Sequence, residues 1–330
     1  MGKDRFRAGV LGKPISHTLS PRLHRAGYAA CGFNDWQYEA YELDADQLGD
    51  FLTEHADFLG FSLTMPLKQE LIRLHQTAGE VDRVAAATAA GNTVVLAGSA
   101  TAGRDAVPGR GQVYNTDVLG IERAFRFVAP DARFDRPAVL GGGATAASAV
   151  AALIGLGAGE IQVFVRNLAR TEAVKRTADL LGASLSVRPL DDWEPAEHDS
   201  VISTLPAGAA DELSARILPY DVIAPDDEIV ADSSRALLDV AYARRLSPLL
   251  IAWQQSGAVP IDGLNMLVFQ AVEQFVLFAR AAARIADHSD PLHGLAEEEI
   301  RHRVETAMLA EISNDQPGND PSADGSANDA

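Results

Sequence analysis

The chain has 330 residues with 28 basic and 46 acidic side chains, a formal net charge of −18 and a single cysteine, Cys31. That acidic balance excludes a nucleic-acid partner, which needs a basic face, and one cysteine excludes both a disulfide framework and a multi-cysteine metal site. Hydrophobic residues at 47% with 22% charged residues fit a globular protein long enough for two cores.

Residues 6–11 read as a first strand, followed by Gly12-Lys13-Pro14-Ile15-Ser16-His17-Thr18-Leu19-Ser20-Pro21. Ser20 before Pro21 is a helix start, a serine N-cap with proline at the first helical position. Thr18 and His17 have no such duty, and hydroxyls on a strand-to-helix loop suit a polyol. Residues 36–42 alternate as a strand, 46–55 read as a capped helix and 57–64 as a third strand. This alternation of strands and helices predicts a parallel sheet.

The third strand leads into Gly60-Phe61-Ser62-Leu63-Thr64-Met65-Pro66-Leu67-Lys68. It places the Thr64 hydroxyl at the strand end, turns at Pro66 and delivers Lys68 to a helix. Lysine is scarce here, with only Lys3, Lys13, Lys68 and Lys175 among the 28 basic residues. A lysine where arginine is the rule points to proton chemistry, because lysine can release its proton and arginine cannot. Residues 66–75 and 80–90 have helical spacing. Asn92-Thr93 opens a short strand to residue 97, a Gly/Ala/Arg/Pro loop covers 98–111, and Asn115-Thr116-Asp117 precedes a helix over 118–127.

A composition break at 129–131 opens a second unit. Strand 137–140 runs into Gly141-Gly142-Gly143-Ala144-Thr145-Ala146, an Ala/Val/Leu helix and a second strand over 161–165. Strand, Gly-x-Gly-x-x-Ala, helix and strand are the dinucleotide fingerprint in its proper context. Its glycines let backbone N–H groups approach a pyrophosphate at the positive end of a helix. An NAD site would end the second strand with an acid; here stand Arg166 and Asn167 with Arg170 close behind, and two guanidinium groups suit the 2′-phosphate of NADP. Further strands are expected at 185–190, 200–205, 228–231 and 237–242. Leu205-Pro206-Ala207-Gly208 falls at a strand's carboxyl end, where open α/β sheets bind ligands. Ser247 and Pro248 start a helix to about residue 255, and 257–263 reads as a crossing back. A long apolar helix over 265–285 holds Gln270, 295–312 reads as a charged amphipathic helix, and 313–330 as a disordered tail.

Six of these motifs, in order over most of the chain, resemble the shikimate dehydrogenase family. They are the 12–21 segment, Ser62 to Lys68, Asn92-Thr93, Asn115-Thr116-Asp117-Val118-Leu119-Gly120, Tyr242 with Ser247-Pro248-Leu249-Leu250, and Gly263-Leu264-Asn265-Met266-Leu267-Val268-Phe269-Gln270-Ala271. The resemblance implies an α/β protein of two domains. A substrate domain with a mainly parallel sheet (1–117 and 258–312) would carry an inserted Rossmann-type NADP domain (118–257), with the C-terminal helices returning to the substrate domain. It implies reversible NADPH-dependent reduction of 3-dehydroshikimate to shikimate, with Lys68 and Asp117 as the catalytic pair. Thr18, Ser20, Thr64, Asn92, Asp117, Tyr242 and Gln270 would contact substrate. Gly141, Gly142, Gly143, Ala144, Thr145, Arg166, Asn167, Arg170, Val240, Gly263 and Met266 would contact NADP.

Ser62 stands where the family has asparagine, and Thr18 where it has serine. Val165-Arg166-Asn167 keeps only the arginine of the family's Asn-Arg-Thr. Those departures keep open a quinate or aminoshikimate dehydrogenase with relaxed cofactor use, and, in a different class, a nucleotide sensor on the same fold. No metal is expected. The N-terminus has no apolar leader and no uninterrupted apolar segment reads as long enough to span a bilayer, so a cytoplasmic monomer or homodimer without a membrane partner is expected.

Overall fold

The computed structural model describes residues 6–75, 81–96, 111–217, 231–242, 246–286 and 290–313. Its first half contains β1 (Phe6–Gly12), α1 (Ser20–Cys31), β2 (Trp36–Glu42), α2 (Leu48–Glu54), β3 (Gly60–Leu63), α3 (Lys68–His75), α4 (Arg83–Thr88), β4 (Thr93–Val95) and β5 (Gln112–Tyr114). These strands form one sheet in the order β2-β1-β3-β4-β5. β1 pairs parallel with β2 and β3, but β4 runs antiparallel to both β3 and β5. The sheet expected to be mainly parallel is therefore mixed. The cause is local: α3 and α4 return the chain to where α3 began, with the Gly91 N–H bonded to the Lys68 carbonyl at 3.0 Å. β4 thus starts at the end where β3 stops and must run the other way.

The second half begins with α5 (Thr116–Val128) and continues through β6 (Ala138–Leu140), α6 (Ala144–Gly155), β7 (Glu160–Val165), α7 (Glu172–Leu181) and β8 (Ser184–Pro189). β9 (Ser200–Ser203), β10 (Asp232–Asp239), α8 (Pro248–Gln255) and β11 (Ala258–Asp262) complete it. The sheet order is β8-β7-β6-β9-β10-β11, and every pairing is parallel. This is the doubly wound order, reversing direction between β6 and β9, where such sheets bind dinucleotides. The segment expected to cross back, 257–263, is instead mostly β11, paired with β10. The boundary expected at residue 258 therefore moves to Gly263. Pro260 is tolerated in β11 because that strand is at the sheet edge, where a missing N–H costs least. The strand expected at 228–231 and the loop at 98–111 fall almost wholly outside the described residues.

The chain then enters α9 (Gly263–Ile285) and closes with α10 (Glu297–Ser313). Ser313, expected to start the tail, is the last residue of α10; residues 314–330 lie outside the described part. By length and composition α9 is apolar enough to cross a bilayer, contrary to expectation, but most of it is buried within the protein. Its Met266 and Phe269 belong to the core of the second sheet, while Val268, Val272, Phe275 and Phe278 belong to the first. α10 covers α1 through Ile300, Val304, Met308 and Ile312, one buried residue per helical turn. α5 crosses α9 at Gly120, where a Cβ would lie 2.9 Å from both the Gln270 Cβ and the Met266 carbonyl. That close approach brings the first turn of α5, with Asp117, beside the turn of α9 that carries Gln270.

Candidate active site

A cavity of about 730 Å³ opens between the two sheets, at the carboxyl ends of their strands. From the first half, Thr18, Ser20, Thr64, Lys68, Asn92 and Asp117 line it. Tyr242 and Gln270 close it from the other side, joined by Thr145, Val240, Gly263 and Met266. All seven residues expected to contact substrate therefore share one space with Lys68. Of the residues expected to contact the cofactor, Gly141–Ala144, Arg166, Asn167 and Arg170 lie outside this lining, beyond the cavity along the second sheet.

Lys68 is the first residue of α3, and its Nζ donates to Asp117 Oδ2 at 2.5 Å. The two side chains retain 16% and 6% of their exposure, so the pair is largely dry yet open to the cavity. A cation at a helix N-terminus opposes the helix dipole, whereas Asp117, in the first turn of α5, is favoured by it. The carboxylate thus compensates for the lysine's position. Asn92 holds the other carboxylate oxygen: its Nδ2 donates to Asp117 Oδ1 at 2.8 Å and to Thr116 Oγ1 at 2.9 Å. Its Oδ1 accepts from the Thr116 N–H and the Thr93 hydroxyl. Both Asn92 amide hydrogens are therefore engaged, and the residue acts in this arrangement by fixing Asp117.

Ser20, expected as the α1 N-cap, is instead the first helical residue; Leu19 occupies the cap position without a side-chain bond. The Thr18 hydroxyl accepts from the Ser20 N–H and donates to its hydroxyl, both at 3.3 Å. Two hydroxyls are thereby presented to the cavity together. Ser62, the family departure in this stretch, is buried, and its hydroxyl bonds that of Tyr38. Burial pushes the Tyr38 phenol up, so this pair stays neutral. The serine's role is to satisfy a buried phenol beneath the cavity. Tyr242 is likewise raised by burial.

The glycine loop fits a dinucleotide. Gly141 has φ +121°, and a Cβ there would lie 2.3 Å from the Thr204 hydroxyl. Gly143 is the α6 N-cap with no side chain to bond the helix, and a Cβ on it would meet nothing within 4 Å. The helix start is therefore open to an anionic group, as pyrophosphate binding requires. Arg166 and Arg170 are exposed past the end of β7, and neither has an ion-pair partner among the described residues. Asn167 turns the chain there, its Oδ1 accepting from the Ala169 N–H at 2.9 Å.

Asn115 ties the two halves. Its Nδ2 donates to Thr88 at the end of α4 and, at 3.0 Å, to Ser148 in α6, while its Oδ1 caps the Asp117 N–H. Sequence reasoning took this residue as part of a motif without a role. It also missed Gln274 and the position of Ser62 in the cavity wall. The signal for Gln274 was its place one turn after Gln270 on the same helix face.

Residues 10–94 match the family described as the shikimate dehydrogenase substrate binding domain. The NADP(+) shikimate dehydrogenase of Ignicoccus hospitalis is 32% identical over 267 residues, covering 80% of this chain and 89% of that relative. The chain belongs to the shikimate dehydrogenase family. The corresponding enzyme of Citrifermentans bemidjiense is 30% identical over 91% of this chain and 96% of its own length. The crystal structure of Mycobacterium tuberculosis shikimate dehydrogenase superposes with a TM-score of 0.68 at 30% identity, covering 92% of this chain and 99% of that one. Membership accounts for the two-domain fold, with a substrate domain and a Rossmann-type cofactor domain.

Proposed function

We infer that this chain is an NADP-dependent shikimate dehydrogenase, catalysing reversible reduction of 3-dehydroshikimate to shikimate as a cytoplasmic monomer or homodimer. The observation that carries the reading is the 2.5 Å Lys68–Asp117 pair inside a cavity bordered by a dinucleotide loop. NADPH supplies the redox chemistry when bound. The protein's task is to orient the ring and to move one proton. As the C3 ketone becomes an alkoxide, the Lys68 ammonium offers opposing charge and then the proton. Asp117 keeps the ammonium aimed and accepts a substrate hydroxyl, with Asn92 locking its orientation. Thr18, Ser20 and Tyr242 supply hydroxyls for the substrate carboxylate, and Thr64 and Gln270 serve the ring hydroxyls. Gly141 to Thr145 would hold the pyrophosphate, with Val240, Gly263 and Met266 lining the nicotinamide end. Arg166 and Arg170 carry the charge that a 2′-phosphate needs, and Asn167 shapes the turn between them.

Steady-state rates for shikimate and quinate, each with NADP+ and NAD+, test this directly. The expected result is the highest kcat/KM for shikimate with NADP+. A preference for quinate or NAD+ would overturn the substrate or cofactor assignment, and no activity in any combination would favour a sensor.

A further inference from the structure

Gln270 and Gln274 sit one turn apart on α9, both buried and both lining the cavity. The Gln270 Nε2 donates to the Leu267 carbonyl at 2.8 Å. A backbone carbonyl can only accept, so this bond fixes which end of the Gln270 amide is nitrogen. Its Oε1 must then face Gln274, whose Nε2 donates to it at 2.7 Å. That leaves the Gln274 Oε1 turned away from Gln270, buried and without a hydrogen-bond partner among the described residues. Among the described residues neither ring nitrogen of the fully buried His24 has a hydrogen-bond partner either, and Gln274 is the side chain that acts on its imidazole. His24 is held flat against Tyr38, the ring centroids 3.8 Å apart and 6° from parallel. A buried carbonyl without a donor and a buried imidazole without an acceptor complement each other.

We propose that His24 and Gln274 are positioning residues that fix Gln270 as a hydrogen-bond donor to substrate, through a one-way chain from imidazole N–H to carboxamide to carboxamide. The chain cannot reverse, because the Leu267 carbonyl terminates it at one end. One Gln270 N–H is left for the cavity, so Gln270 recognises an oxygen acceptor on the ring. Burial keeps His24 neutral by pushing its pKa down to about 3, which lets one nitrogen serve as donor throughout the working pH range. This deepens the shikimate reading and depends on it for the identity of the ring.

The test uses the full chain and the variants Gln274→Met and His24→Phe, the second keeping the aromatic stack while removing the N–H. Each is expected to raise the shikimate KM roughly tenfold, the worth of one hydrogen bond, with the NADP KM unchanged. The double variant should be no worse than either single one, since both break the same chain. Equal rises in both KM values, or additive effects, would mean a merely structural role and would overturn the proposal. A second readout needs no activity: the Gln270 side-chain amide protons, observed by NMR and their exchange with solvent, should lose protection in both variants. Unchanged protection would also overturn the chain. Lack of shikimate turnover by the wild type would instead sink the parent reading, leaving the amide readout to decide the chain alone.

Discussion

On the substrate side of the cavity, Asn92 uses both amide hydrogens and its carbonyl on Thr93, Thr116 and Asp117. On the cofactor side, Gly143 presents no side chain at all, and the charged groups, Arg166 and Arg170, stand exposed. One half of the site is built from interlocked buried side chains, the other from backbone shape and a few surface charges. Substitutions should therefore act differently. On the first side a change leaves a buried partner unsatisfied and strikes the reaction itself; on the second it alters shape or affinity while the chemistry survives.

The largest break in that contrast comes at Lys68. Lys68→Ala is expected to lower kcat by about 10²–10⁴ while calorimetry finds shikimate affinity nearly intact; near-normal turnover would remove Lys68 from the mechanism. Gly141→Ala tests the backbone-built half. Positive φ alone costs on the order of 1–3 kcal/mol, and the new methyl meets Thr204, so a lowered melting temperature and a raised NADP KM are expected together. Loss of kcat at saturating NADP, without those two changes, would contradict the division. Arg166→Ala should raise the NADP KM about tenfold, one charge-assisted contact's worth, and leave shikimate's alone. An equal effect on both would place the arginine off the phosphate.

A different kind of effect sharpens the buried half, through pH. His24 has its folded pKa lowered to about 3 from the ordinary 6.5, chiefly by burial, with the Gln274 carboxamide opposing the shift. The unfolded chain therefore binds a proton that the folded one refuses between these values. Stability from this group is fully present above pH 6.5 and falls as pH drops toward 3, by at most about 1.4 kcal/mol per unit. Urea unfolding between pH 4 and 7 should show a shallower acid slope in His24→Phe than in the wild type. Identical slopes would show that His24 does not titrate in this window.

The glycine loop and Lys68 were legible in the sequence because each sits in a short segment whose chemistry is local, whereas the role expected of Asp117 came from the family resemblance. β11 was not, because Pro260 and the flanking glycines read as a crossing, and only its edge position makes the proline acceptable. The antiparallel β4 and β5 depended on α3 and α4 bringing the chain back beside Lys68, which no spacing rule reports. Ser20 was misread by one position: helix-start chemistry was present, but the helix began at the serine itself. Gln274 went unremarked because a glutamine on a buried helix face acquires meaning only when its neighbours across the fold, Gln270 and His24, are known.

The chain passes between the two domains twice, through the start of α5 just at Asp117 and through the start of α9 shortly before Gln270. The Asn115–Ser148 and Thr177–Ala87 bonds add ties between the domains, and an opening of the cleft would turn about such ties. Displacement in a rotation grows with distance from its axis. A cleft that swings wide at the exposed arginines would scarcely disturb Lys68, Asp117 and Gln270, so a cofactor could enter and leave by a long lever while the proton-handling group keeps its alignment.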